Sequence, residues 1–208
     1  MSEYRTYTLP NGFTFRMVFV PGTGNGHFIM GSPLDERHRN RFEPQHPVGL
    51  SDFEIGEFQV TQELWLAVTG EMPNCRFQGD QLPVDSVSWN HAAIFCNMLS
   101  AQLGYTPCYT YRQGKILGRS YFMEKEDGDW RFPYVIPDRF KIKSRRGGFR
   151  LPTEAQWEYA ARGGPFSPAL RQPPQQDYLY AGSNELATVG WYCDNSEGTT
   201  HPVGLLAP

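Results

Sequence analysis

No apolar run in this 208-residue chain approaches the length that spans a bilayer, and Met1-Ser2-Glu3-Tyr4-Arg5-Thr6 lacks the basic start and apolar stretch of a secretory leader. The expectation is a cytoplasmic protein with no membrane partner. Cysteine is scarce: Cys75, Cys96, Cys108 and Cys193 stand far apart with no C-x-x-C spacing. That leaves the common zinc and redox motifs unsupported and predicts free, mostly buried thiols. A net charge of -3, with acids and bases mixed along the chain, offers no electrostatic footprint for nucleic acid. Also missing are a P-loop, a G-x-S-x-G elbow, an H-E-x-x-H pair, a His/carboxylate cluster at metal-ligand spacing and any internal repeat.

What is present in quantity is turn-forming and aromatic. Gly and Pro number 21 and 17, and aromatics make up 14% of the chain. This composition predicts a loop-rich α+β globule in which large rings fill the space between short elements, and it argues against a helical bundle. The length suits one large or two small domains with a real core.

The most sharply punctuated stretch is Phe149 to Gly164. Thr153 follows Pro152 and can cap the free amides of a first helical turn, while Gln156 can reach back to the cap residue's amide. Glu154 suits the helix dipole, Glu158 and Arg162 form an i,i+4 pair, and Gly163 can stop the helix in a left-handed conformation. Trp157, Ala160 and Ala161 share a face, predicted to pack against the core. Upstream, a helix capped by Thr61 is predicted to run to Gly70.

A third helix is predicted from Ser88 to Gly104, with Trp89, Ala92, Ala93, Cys96, Leu99 and Leu103 as its buried stripe. Cys96 is read there as a core residue. His91 lies off the stripe and is a weak ligand candidate.

Phe13 to Val20 and Phe28 to Gly31 read as two strands forming a hairpin, Asp35 to Gln45 as a surface loop, and Val48 to Phe58 as a strand pair. Between Cys108 and Lys143 the short strand candidates are Tyr109-Thr110-Tyr111, Ser120 to Met123 and Phe140 to Lys143, with Glu124 to Asp129 as an exposed hairpin tip. Trp130, Phe132 and Tyr134 could line a groove or simply fill a strand-poor region. Pro165 to Gln176 is a loop by composition. Tyr178 to Pro208 gathers Asn184, Glu185, Asp194, Asn195, Ser196 and Glu197 among glycines, a composition open to calcium binding or to plain turn formation.

Several stretches, taken in order, resemble the formylglycine-generating enzyme family, also called sulfatase-modifying factor domains. They are Phe28-Ile29-Met30-Gly31, His46-Pro47-Val48, Phe53-Glu54-Ile55-Gly56, Gln59-Val60-Thr61, Leu82-Pro83-Val84, Val87-Ser88-Trp89-Asn90, Phe149 to Gly164, Tyr180 to Asn184 and His201-Pro202-Val203-Gly204. The resemblance implies one domain over residues 1–208 with a C-type-lectin-like fold: small antiparallel sheets, two or three helices and much irregular structure. Thr110 to Arg146 reads as an insertion.

It also implies a calcium site using the side chains of Asn184 and Asn195 with backbone oxygens near Glu185 and Glu197; Asn195 stands where the family has Asp, which weakens the charge holding the ion. The family's enzymes oxidise a cysteine of a sulfatase-type peptide to formylglycine, using oxygen and a copper(I) ion on two cysteine thiolates. That pair lies in a C-terminal segment which this chain is expected to lack, and none of Cys75, Cys96, Cys108 or Cys193 matches it. No catalytic residue is assigned, and the chain as it stands is expected to be inactive. The alternative is a non-catalytic module on the same scaffold that binds a peptide, protein or other ligand.

Overall fold

The computed structural model describes residues 3–36, 42–72, 74–111, 125–126, 129–130, 140–142, 147–166 and 178–207. Tyr4–Thr8 (β1), Thr14–Val20 (β2), Phe28–Met30 (β3), His46–Val48 (β4) and Phe53–Gly56 (β5) precede the helices Gln62–Thr69 (α1) and Trp89–Gln102 (α2). Tyr109–Tyr111 (β6), Lys125–Glu126 (β7), Asp129–Trp130 (β8) and Phe140–Ile142 (β9) follow, then Glu154–Ala161 (α3) and Leu186–Val189 (α4). The architecture is α+β, with one three-stranded and three two-stranded antiparallel sheets among the described residues.

The hairpin expected of Phe13 to Val20 with Phe28 to Gly31 does not form. β2 is instead the middle strand of the order β1-β2-β5, and β3 pairs with β4. The reason lies in β2's two apolar faces. Phe15 packs on a cluster that includes Trp65, Phe95 and Leu99, whereas Val20 belongs to a second cluster with Phe28, Met30 and Tyr159. β2 is paired on both edges, over five positions with β1 and four with β5. The pair expected within Val48 to Phe58 likewise splits, since β4 and β5 join different sheets. β1 was not anticipated; a tight turn sets its register, with the Leu9 amide donating to Phe13 carbonyl at 2.8 Å and Gly12 at φ 87°.

The helix caps stand where the sequence puts them. Thr61 Oγ1 accepts the Leu64 amide at 3.2 Å, and Gly70 ends α1 at φ 77°. Ser88 and Thr153 each form a reciprocal capping box, the first with His91 and the second with Gln156. On α2, Ala93, Cys96 and Leu99 are buried as expected, but Trp89 is half exposed. Placed at the helix's first position, it meets the edge of Tyr109, at 5.5 Å between ring centroids. Phe95 is buried in its stead, stacked on Trp65 at 5.0 Å.

The buried face of α3 is not the expected one. Trp157 is 61% exposed, while Tyr159 is 1% exposed and Gln156 is buried. Tyr159 meets the edge of Phe28 at 5.3 Å and donates its hydroxyl to Pro21 carbonyl at 3.2 Å. The Glu158 and Arg162 pair forms at 2.8 Å, and both partners also grip the turn after β3. Glu158 Oε1 accepts the Gly31 amide at 2.9 Å, and Arg162 donates to Gly31 carbonyl at 3.2 Å. Those bonds turn Tyr159 inward, which leaves Trp157 on the opposite side.

β6 and β9 pair and bring the two ends of the expected insertion together, and β7 and β8 pair at the expected hairpin. Ser120 to Met123, Phe132, Tyr134, Arg37 to Arg41 and the loop beyond Phe166 lie outside the described residues. No helix among the described residues is long and apolar enough to cross a membrane.

The α3 packing predicts opposite outcomes for neighbouring aromatics. Tyr159→Ala should cost about 3–5 kcal/mol of unfolding free energy, the range for truncating a buried ring. Trp157→Ala should stay within about 0.5 kcal/mol, as at an exposed site. Urea denaturation of both variants measures the difference.

Candidate functional site

The face of α3 that carries Trp157, Ala160 and Ala161 borders an open groove of about 1700 Å³. β5 and its continuation to Val60 form one side, Phe149 to Pro152 and α3 the other, and Thr200 to Ala207 run along it. Leu64, Trp65 and Phe95 reach its floor from α1 and α2. Small-molecule sites fall at about 300–1000 Å³. The groove is larger than those.

Two features of its lining are unusual for finished protein surface. Trp65 is 3% exposed, yet its Nε1 has no hydrogen-bond partner among the described residues, and neither has the buried Thr200 hydroxyl. Buried polar groups ordinarily find partners. At the far end, Trp191 stacks on His201 with centroids 3.8 Å apart, and His201 Nε2 lies 2.9 Å from Ser196 carbonyl. Gly204, at φ 75°, approaches the ring of Phe58 so closely that a Cβ there would lie 2.9 Å from it. The His201 to Gly204 stretch therefore needs glycine at its end.

Beside the Arg16 and Glu57 ion pair, the groove carries a triad across the sheet. Tyr7 donates its hydroxyl to Glu54 Oε2 at 2.6 Å, and Arg5 donates to Glu54 Oε1 at 3.3 Å. The Tyr7 ring stacks on Phe15 at 5.4 Å and meets Phe149 edge-on at 5.2 Å. Burial, and then the hydrogen bond to Glu54, push the Tyr7 phenol well above its ordinary value. The triad is a docked, neutral phenol holding a carboxylate, not a general base.

The three buried cysteines are held by backbone contacts and by burial. Cys75 Sγ is held by the Asp85 backbone, accepting from its amide at 3.4 Å. Cys108 donates to Gly148 carbonyl at 3.2 Å. Burial pushes the Cys96 thiol up to about 12 and also raises Cys75. Copper(I) takes thiolates, and these two environments oppose ionisation. Cys193 is exposed, the other three are buried, and none of the four is in a disulfide among the described residues.

The expected calcium residues are engaged in turns. Asn184 Oδ1 accepts the Leu179 amide at 3.0 Å, and Asn195 Oδ1 accepts the Tyr192 amide at 2.7 Å. The Glu185 carbonyl accepts both the amide and the hydroxyl of Thr188, at 3.1 and 2.7 Å. Glu197 takes a left-handed φ of 53°. A cation at these oxygens would share them with the bonds that hold the turns, whereas calcium takes about six to eight oxygen ligands. No group of three or more His, Cys, Asp or Glu converges among the described residues. His91, the weak ligand candidate, is a capping side chain: its Nδ1 accepts the Ser88 amide at 3.2 Å, and desolvation lowers its pKa, favouring the neutral ring that can accept.

Residues 9–208 match the model of the sulfatase-modifying factor enzyme 1-like domain. "Chaperone protein LppX" of Paenibacillus barcinonensis is 36% identical over 149 residues, covering 72% of this chain and 47% of that protein. The formylglycine-generating enzyme of Streptomyces coelicolor is 27% identical over 202 residues, covering 87% of this chain and 55% of the enzyme. Among solved structures, Treponema denticola variable protein 1 superposes with a TM-score of 0.72 at 31% identity, covering 99% of this chain and 70% of that one. The chain thus spans about half the length of the curated relatives it matches.

The Tyr7 and Glu54 pair generates a pH prediction. A folded-state phenol pKa raised above the unfolded value contributes stability that is fully present below about pH 10 and is lost as pH climbs beyond it. Tyr7→Phe should cost about 1–2 kcal/mol near neutrality and flatten the loss of stability above pH 10, as read from melting curves across pH. An unchanged alkaline slope would remove Tyr7 from that role.

Proposed function

The chain belongs to the sulfatase-modifying factor enzyme 1-like domain family, and on that premise we propose that it is the scaffold and peptide-facing wall of a formylglycine-generating-type domain, without the copper-binding cysteine pair. The observation that carries this reading is the pairing of a polypeptide-sized groove with buried thiols unsuited to copper. The groove wall offers aromatic surface from Trp157 and Trp191 for a substrate chain. A cytoplasmic location is part of the same reading, resting on the free thiols.

A second reading, a non-catalytic binding module for unfolded or extended polypeptide, draws on the same aromatic wall and on the name of the relative called a chaperone. It differs in needing no further catalytic part. The exposed Trp157 and Trp191 are then the contact residues, and their loss weakens binding without destabilising the fold.

Calcium at Asn184 and Asn195, with carbonyls of Glu185 and Glu197, remains a proposal supported by the family resemblance and by the closeness of these residues along one turn-rich segment. A ligand that binds only the folded state stabilises it, so the expected result is a higher melting temperature in calcium than in chelator. Identical melting temperatures would remove calcium from the account.

Each reading has its own measurement. Supplied with copper(I), oxygen and a cysteine-containing peptide, the chain should form no peptide aldehyde above the peptide-only control; turnover would overturn the first reading. Titration of the chain with a reduced, alkylated unfolded protein should change the fluorescence of the wild type and less so that of Trp157→Ala if the second reading holds; no change in the wild type counts against it.

A further inference from the structure

Among the arginines and carboxylates that border the groove, one has no opposite charge beside it. Glu54 is held by Tyr7 and Arg5, Glu57 accepts from Arg16 at 2.6 and 2.7 Å, and Asp52 accepts the Gly22 amide at 2.8 Å. Arg150 lines the groove as well, yet it makes no ion pair among the described residues. Its two hydrogen bonds both leave from Nη1, to Leu151 carbonyl at 3.0 Å and to Gln156 Oε1 at 2.9 Å. Nη1 spends both of its hydrogens there, and the edge formed by Nε and Nη2 is left without a protein acceptor among the described residues.

The capping box of α3 makes that edge available. Gln156 Oε1 accepts the Thr153 amide at 3.1 Å as well as Arg150 Nη1. A neutral amide therefore stands where glutamate, equally able to close the box, would have neutralised the cation. Held on its Nη1 side, the guanidinium keeps for the groove the edge on which carboxylates are bound by two parallel hydrogen bonds. Burial raises the Cys96 thiol, Cys108 adds to it, and the Arg150 guanidinium pulls the other way, which puts that cation within electrostatic reach of Cys96. Cys96 belongs with Ala92, Phe95 and Leu99 to the row of α2 that lines the groove. Trp65 joins the same row from α1, stacked on Phe95 at 5.0 Å. Its Nε1, in a residue 3% exposed, is without a hydrogen-bond partner among the described residues. Around this apolar row the unspent groups are thus donors, and one of them is charged.

We propose that Arg150 anchors a carboxylate in the groove, and that this carboxylate is the C-terminus of a polypeptide whose last side chain is apolar. The proposal deepens the reading of the groove as a polypeptide-facing wall and rests on it. The terminal carboxylate accepts from Nε and Nη2, the last side chain covers the row from Ala92 to Leu99, and a peptide carbonyl accepts from the Trp65 indole. A chain end brings these three groups together within a residue or two. An Asp or Glu side chain supplies the carboxylate but sets a polar head where the row offers apolar surface. Because Gln156 already holds the guanidinium, little of its freedom remains to be lost on binding.

Paired peptides test it by calorimetry. An acetylated Ala-Ala-Leu-Leu-Phe peptide with a free acid end should bind the chain about tenfold more tightly than the same peptide ending in an amide. Gln156→Glu keeps the capping box and brings a carboxylate of the chain's own to Arg150, so it should erase that preference while the variant stays folded. Arg150→Gln should erase it too, and where that variant does not fold, Gln156→Glu carries the test alone. Equal binding of acid and amide by the wild type, or a preference that survives Gln156→Glu, overturns the anchor. An amidated peptide with Glu as its last residue that binds as tightly as the free acid overturns the chain end as the source of the carboxylate. The polypeptide wall fails by a different result, unchanged binding of both peptides in Trp157→Ala. If neither peptide binds the wild type, wall and anchor fall together.

Discussion

The docking of α3 on the turn after β3 is the constraint from which the arrangement of the rest follows. Glu158 accepts the Gly31 amide, Arg162 donates to the Gly31 carbonyl, and Tyr159 fills the space between Phe28 and Pro21. Gly31 sits at φ 96°, with Pro44 carbonyl 2.7 Å from where a Cβ would be, so the turn admits no side chain. A partly buried ion pair whose members also bond to backbone is worth more than an exposed i,i+4 pair, because its geometry is held from both sides. One contact thus ties α3 to the turn after β3, 127 positions earlier in the chain. It also decides which aromatic of α3 faces the core and which faces the groove.

The groove is the counterpart of that decision. With Tyr159 turned inward, Trp157 lies along an open channel whose floor contains Trp65 and Phe95. Apolar area left open to water forgoes about 25 cal/mol for each Å² that could be covered. An indole N–H at the floor, without a hydrogen-bond partner among the described residues, adds to that surface. Cys96 and Cys108 belong to the larger core cluster, and Cys75 is tied to the Asp85 backbone.

What was legible in the sequence is what is decided locally. The caps at Thr61, Ser88 and Thr153, and the stops at Gly70 and Gly163, rest on bonds spanning three or four residues, and each is found in place. Strand partnership was not legible, because whether β2 pairs with β3 or with β5 depends on two cores assembled from distant segments. The buried face of α3 was misread for the same reason: Trp157 is the larger ring, but Tyr159 is the one opposite Phe28. Tyr7 and Glu54 stand 47 positions apart and carry no motif, so nothing short-range could announce their bond. The family motifs did point to the scaffold, and the match over residues 9–208 agrees with them.

The most direct test of this account is hydroxyl-radical footprinting of the folded chain, resolved at individual aromatic residues. Trp157 and Trp191 should be oxidised rapidly, and Trp65 and Tyr159 should be protected until the chain unfolds. Rapid oxidation of Tyr159 with protection of Trp157 would mean that α3 docks by its other face, and the groove with its tryptophan wall would not exist as described.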